Sequence, residues 1–200
     1  MARTILLLFF TLPILGMGQN FAFEYWHEGK IVLESGDTLK GDIKYNMQTD
    51  VLQYQANNKV EAFTARKVLY CEIFDNTVKR YRQFYSLPYN TSGGYRAPVF
   101  FELLAEGKLT LLSRESLEYR TYNSSFYYYG NYTRLVLVNK YYLLQEKGDI
   151  VEFNDKKGDW LDKMGNYADE VQKYVKKNRL EFDNKYDLAK IVEYYNSLVN

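Results

Sequence analysis

An α+β fold, mainly antiparallel sheet with two to three helices behind it, is predicted by three observations. Short apolar–polar alternations fill the chain as far as Phe153. Three of the intervening turns carry glycine, and the apolar period lengthens to that of a helix from Trp160 onward. Strands followed by helices place the helices over one side or one end of a hairpin-built sheet. Whether that sheet is open, a roll or a partial barrel stays open at this level.

The first element is not part of that fold. Arg3 precedes the apolar run Ile5–Phe10, which continues through Leu12, Ile14 and Leu15 before Gly16-Met17-Gly18 and polar Gln19-Asn20. A basic start, a short apolar centre and a small-x-small exit predict a secretory signal peptide over residues 1–18. A retained N-terminal anchor is the competing reading, although the run falls short of the roughly 20 apolar residues of a membrane span. Residues 19–200 then form one domain, with strands over about 22–153 and helices over about 156–199. No second apolar run is long enough to cross a bilayer as a helix, so the mature protein is not expected to be transmembrane.

Glu24–Leu33 and Thr38–Tyr45 flank Glu34-Ser35-Gly36-Asp37, a hairpin signal. In the second of these strands Leu39, Gly41, Ile43 and Tyr45 alternate with Lys40, Asp42 and Lys44, which predicts one buried face and one wet face. Val51–Tyr54, Val60–Phe63, Lys67–Phe74 and Val78–Tyr85 follow, the last pair turned by Asp75-Asn76-Thr77. Ser86–Ala97, with Pro88, Gly93 and Gly94, has the strongest loop composition and is expected to divide the strands into two groups. Val99–Leu104 and Leu109–Leu117 flank a second glycine turn, and Leu135–Gln145 and Ile150–Phe153 a third. Asn123–Asn131 interrupts the strands between the last two hairpins. Trp160, Met164, Ala168, Val171 and Val175 have helical spacing, with a possible break at Gly165-Asn166. Asp183 or Asn184 is placed to cap a final helix carrying Leu188, Ile191, Val192, Tyr195 and Leu198.

Charge and residue usage exclude several functions. The chain has 26 Lys+Arg and 25 Asp+Glu, and residues 1–18 contain only Arg3, so the mature protein balances at 25 against 25. No global field draws it to nucleic acid. One cysteine, Cys71, cannot make an internal disulfide; it shares a strand face with Leu69 and Ile73 and is expected to be buried and inert. The single histidine, His27, removes multi-histidine metal sites and is expected at a surface or strand edge. No cofactor, metal or catalytic residue is therefore assigned.

Paired carboxylates leave one conventional route to catalysis. Glu102 with Glu106, and Glu115 with Glu118, are candidates for a hydrolase; on the strand of the second pair Arg114, Glu118 and Arg120 share one face opposite Leu111 and Leu117, for which charge pairing in water is the competing reading. Asp155, Asp159 and Asp162 suit a helix start better than calcium, since two lysines interrupt them. Lys173, Lys176, Lys177 and Arg179 fit a solvated helix end. The Asn-x-Ser/Thr triplets at Asn90, Asn123 and Asn131 matter only in a glycosylating host.

Tyrosine stands out, with 21 in the chain. Tyr122, Tyr127, Tyr128, Tyr129 and Tyr132, with Arg134 beside them, form the candidate binding surface, because tyrosine gives contact area at low entropic cost. The competing reading is packing across neighbouring strands. The function expected is a non-catalytic module that binds a protein, or less readily a glycan, through this surface; a purely structural component and a carboxylate hydrolase are the alternatives.

The segments Gly29–Leu33 and Ser35–Ile43, the hairpin Phe101–Leu112 and the terminal Tyr194-Tyr195-Asn196 resemble a recurrent module of exported Bacteroidota envelope proteins. That module stands alone or ahead of an outer-membrane β-barrel. The resemblance implies an envelope protein or glycan as partner, and a periplasmic, outer-membrane-associated or secreted location in a Gram-negative cell. It implies no catalytic residues.

Overall fold

The computed structural model describes residues 21–90, 94–123, 130–153 and 156–199. The leader over residues 1–18 and the residues Tyr127, Tyr128, Tyr129 and Asp155 lie outside the described residues. Ten strands form one antiparallel sheet: β1 His27–Leu33, β2 Thr38–Asn46, β3 Val51–Ala56, β4 Lys59–Thr64, β5 Val68–Asp75, β6 Arg80–Asn90, β7 Arg96–Ala105, β8 Thr110–Tyr122, β9 Tyr132–Leu144 and β10 Ile150–Phe153. Helices α1 Lys157–Met164, α2 Ala168–Asn178 and α3 Lys185–Val199 follow. The predicted fold class is the observed one.

The spatial order is β10-β9-β8-β7-β6-β5-β1-β2-β3-β4, an open sheet with edges at β10 and β4. It is far from flat. Tyr45 on β2 and Phe100 on β7 are four strand spacings apart in that order, about 19 Å on a flat sheet. Their ring centroids are 5.5 Å apart. The sheet therefore curls until β2 meets β7 around a core of Ile31, Ile43, Leu52, Val68, Cys71, Phe84 and Phe100. Gly29 and Gly41 face each other in this curl, where an added Cβ on Gly29 would collide with the Glu72 carbonyl.

The helices cover the other end of the same face. Trp160, Met164, Val171, Leu188, Ile191 and Val192 pack on Ala105, Leu109, Leu111, Tyr141 and Leu143. Gly165, at φ 54°, ends α1 at the predicted break. Asn184 caps α3, its Oδ1 accepting from the N–H groups of Tyr186 and Asp187. Asn196 near the end of α3 clasps the β7–β8 turn: its Oδ1 accepts from Leu109 N–H at 2.9 Å, and its Nδ2 donates to the Leu109 and Glu106 carbonyls.

Three expectations need correction. Ser86–Ala97 is not a loop: β6 runs to Asn90 and β7 starts at Arg96, with Pro88 directly opposite Pro98. Opposed residues in an antiparallel pair exchange both hydrogen bonds or neither, so two prolines lacking N–H can share a non-bonded rung. Leu69 does not share the buried face of Cys71. The β1–β5 register slips between Val32 and Leu33, leaving Leu69 exposed and Val68 buried. His27 is not at a surface or edge, for β1 lies between β5 and β2 and buries it.

Candidate functional site

Two clusters of polar and aromatic side chains compete for attention, one sealed and one exposed. The sealed one lies between the two cores on the concave face. Arg82 of β6 donates through Nε and Nη2 to both oxygens of Glu102 on β7, at 2.9 and 2.7 Å. Its Nη2 also meets Glu115 of β8 at 2.7 Å, and its Nη1 meets Asp75 of β5 at 3.1 Å. Lys185, the first residue of α3, bonds both Glu102 and Glu115. Two cations and three carboxylates thus share one buried network.

Burial alone would raise the Glu102 carboxyl, but Lys185 and Arg82 outweigh it and hold it down at about 2. Burial likewise opposes the lowering of Asp75, which the Thr77 hydroxyl and N–H and then Arg82 bring about. Glu102 is 3% exposed. A proton donor for glycoside cleavage needs the reverse, a raised pKa beside a substrate. Glu102 pairs with Glu115 through shared cations, with neither Glu106 nor Glu118 in the network. Glu118 instead lies on the outer face of β8, 3.4 Å from Lys140. Sequence reasoning missed the burial of Glu102; its place as a lone acid within the apolar run Val99–Ala105 is the signal that could have shown it.

The exposed cluster belongs to β8 and β9. Backbone pairing of β7 with β8 stops at Glu102–Ser113, while β8 continues beside β9 as far as Tyr122–Tyr132. From Arg114 onward this hairpin has no β7 beside it. The Arg114 guanidinium occupies the parting, donating to the Phe100 carbonyl at 2.9 Å and to Asp50 at 2.8 Å. Asp50 also accepts from the Tyr45 hydroxyl at 2.7 Å, tying the β2–β3 turn to the ribbon base.

Toward the distal end both faces of the ribbon are wet. Tyr122 and Tyr132 sit directly opposite and stack, with centroids 5.5 Å apart and planes 20° from parallel. The Arg134 guanidinium lies 4.9 Å from the Tyr122 ring centre. Arg120 stands opposite Arg134 on this face, one rung closer to the base. The other face carries Tyr119, 78% exposed, with the Thr121–Thr133 hydroxyl pair. Tyr132 is 52% exposed. Of the residues expected to form a surface, Tyr122, Tyr132 and Arg134 come together here; Tyr127, Tyr128 and Tyr129 lie outside the described residues. Tyr119 belongs to the same aromatic stretch of the sequence, and Arg120 shares the strand face of Arg114 and Glu118.

Among the described residues, no group of three or more His, Cys, Asp or Glu is placed to hold a metal ion. Burial raises the Cys71 thiol far above its usual range, which leaves it unreactive. Among the described residues no helix is long and apolar enough to cross a membrane. Comparison of the chain with family models, with curated proteins and with solved structures finds no match.

Proposed function

We propose that this chain is an exported, non-catalytic envelope module that binds a protein partner through the distal β8–β9 ribbon. The observation that carries this reading is the stacked Tyr122–Tyr132 pair with Arg134 over it, held in solvent on a ribbon that has left the sheet. Tyrosine and arginine are the residues that supply most energy at protein interfaces. A ribbon wet on both faces suits an extended or grooved protein partner better than a sugar, which favours a concave platform. The leader-like residues 1–18 and the resemblance to Bacteroidota envelope modules support a periplasmic, outer-membrane-associated or secreted location in a Gram-negative cell. The burial of Glu102, its carboxyl held at about 2, and the ion pairs that Glu102 and Glu115 make with Arg82 and Lys185 weigh against a carboxylate hydrolase.

The test is capture from envelope extracts by the tagged protein and by its Tyr122→Ser/Tyr132→Ser variant, with a Tyr127→Ser/Tyr128→Ser/Tyr129→Ser variant in parallel. Loss of a captured protein in a variant with unchanged thermal unfolding is the expected result. Equal recovery by all three folded proteins removes the ribbon as the binding surface.

A further inference from the structure

The β8–β9 ribbon leaves one of its strands with an unpaired edge. Strand β9 has β8 on one side and β10 on the other, but β10 pairs only with Tyr141–Leu144. Along Tyr132–Lys140 no strand among the described residues lies on that second side. Alternate backbone N–H and C=O groups there point outward, and another extended backbone is what offers partners in the matching series. The outer edge of β8 is already engaged at its base, where Arg114 donates to the Phe100 carbonyl. Strand β4, at the far edge of the sheet, is shorter and carries charge at alternate positions, Lys59 and Glu61.

The side chains of β9 say what kind of strand fits. Leu135, Val136, Leu137 and Val138 follow one another without a charge, two on each face, and the first three are only half-buried. An apolar run of this kind on an open edge is a surface for strand pairing. From Tyr119 to Asn139 the chain has Arg120 and Arg134 and no acid. Neither arginine has an ion pair among the described residues, although Arg134 leans on the Tyr122 ring. The nearest acids stand at the base: Glu118, 3.4 Å from Lys140, and Glu152 of β10, opposite Tyr142. Where β10 stops, an open groove of about 210 Å³ takes in Arg120, Lys140 and Glu152 beside Val138 and Asn139.

We propose that a partner protein adds an extended segment as a strand along Tyr132–Lys140, in line with β10. Its apolar centre lies against Leu135–Val138 and an acid at its distal end meets Arg134. This rests on the ribbon being the binding surface and names the chemistry of its partner. Backbone hydrogen bonds supply affinity, and the alternating side chains supply selectivity. The acid belongs at the distal end because Glu152 repels it at the base. Arg134, with Arg120 directly opposite on β8, attracts it there. Two like charges in opposed positions also cost the free ribbon stability, a cost that an added carboxylate relieves.

Selection of displayed random peptides on the purified protein, followed by hydrogen exchange with a selected peptide bound, tests this. The expected peptides are rich in β-branched residues with an aspartate or glutamate toward one end, and they slow amide exchange within Tyr132–Lys140. N-methylation of the peptide at every second residue is expected to abolish binding in one register and spare it in the other, as a strand bonded along one edge requires. Arg134→Glu is expected to weaken the acidic peptide by about tenfold and to favour the same peptide with lysine in place of its acid. Failure to select any peptide, protection confined to other strands, indifference to N-methylation in both registers, or equal affinity for Arg134→Glu overturns the proposal. If one of these occurs while Tyr122→Ser/Tyr132→Ser still loses envelope capture, the ribbon remains the binding surface and strand addition to its edge is excluded. Unchanged capture removes the ribbon itself, and this inference with it.

Discussion

Lys185 is the side chain whose position most needs explaining. A cation in the first turn of a helix opposes the helix dipole, so its place is justified only by what it meets there, the carboxylates of Glu102 and Glu115. Replacing it with methionine strands two buried carboxylates on Arg82 alone. Lys185→Met should lose about 3–5 kcal/mol in denaturant unfolding, the usual cost of breaking a buried pair from one side. The same network sets an acid limit. Glu102 titrates near 4.3 when unfolded and at about 2 when folded. A lowered folded value means its contribution is complete above the unfolded pKa and is lost as pH falls through 4 toward 2. The amount is roughly 3 kcal/mol. Urea midpoints measured across that range should fall steadily in the wild type and more shallowly in Lys185→Met.

At the scale of elements, the turn that ends β7 and the helix that ends the chain form one unit. Asn196 makes three bonds to Glu106 and Leu109, and Gly107 at φ 150° leaves room for it. Asn196→Ala leaves buried backbone groups unpaired and should cost about 1–3 kcal/mol in unfolding experiments. Gly29→Ala should be far more damaging to the curl of β1 against β5 and β2, and circular dichroism at ambient temperature would register it. Substitutions at Tyr119, Tyr132 or Arg134 should shift stability by no more than about 0.5 kcal/mol, since these side chains bury little. The ten strands and the helical segments were legible because period-2 alternation, glycine turns and helical spacing are local signals. The extension of β6 past Pro88 and of β7 back through Pro98 was not, because proline in a strand reads as a break unless its partner strand is known. The face of Leu69 was hidden for a similar reason, since a bulge is a property of the pairing.

For the molecule as a whole, strand pairing and the returning last helix explain why the charged cluster escaped a reading of the sequence. Arg82 and Glu102 are 20 positions apart, and Lys185 is 83 positions from Glu102. Arg82, Glu102 and Glu115 meet because β6, β7 and β8 are neighbouring strands, and Lys185 joins them because the last helix returns over the sheet. The interaction surface was half legible: tyrosine density marked Tyr122–Tyr132, whereas the parting of β7 from β8 that exposes it depends on where a backbone ladder stops. A photo-crosslinking residue in place of Tyr132, compared in living cells with one in place of Lys176 on the outer side of α2, tests whether the ribbon is where this protein meets its partner. A discrete protein adduct from position 132, without its counterpart from position 176, is the expected result. Equal adducts from both positions, or none from position 132 on an intact protein, would contradict it.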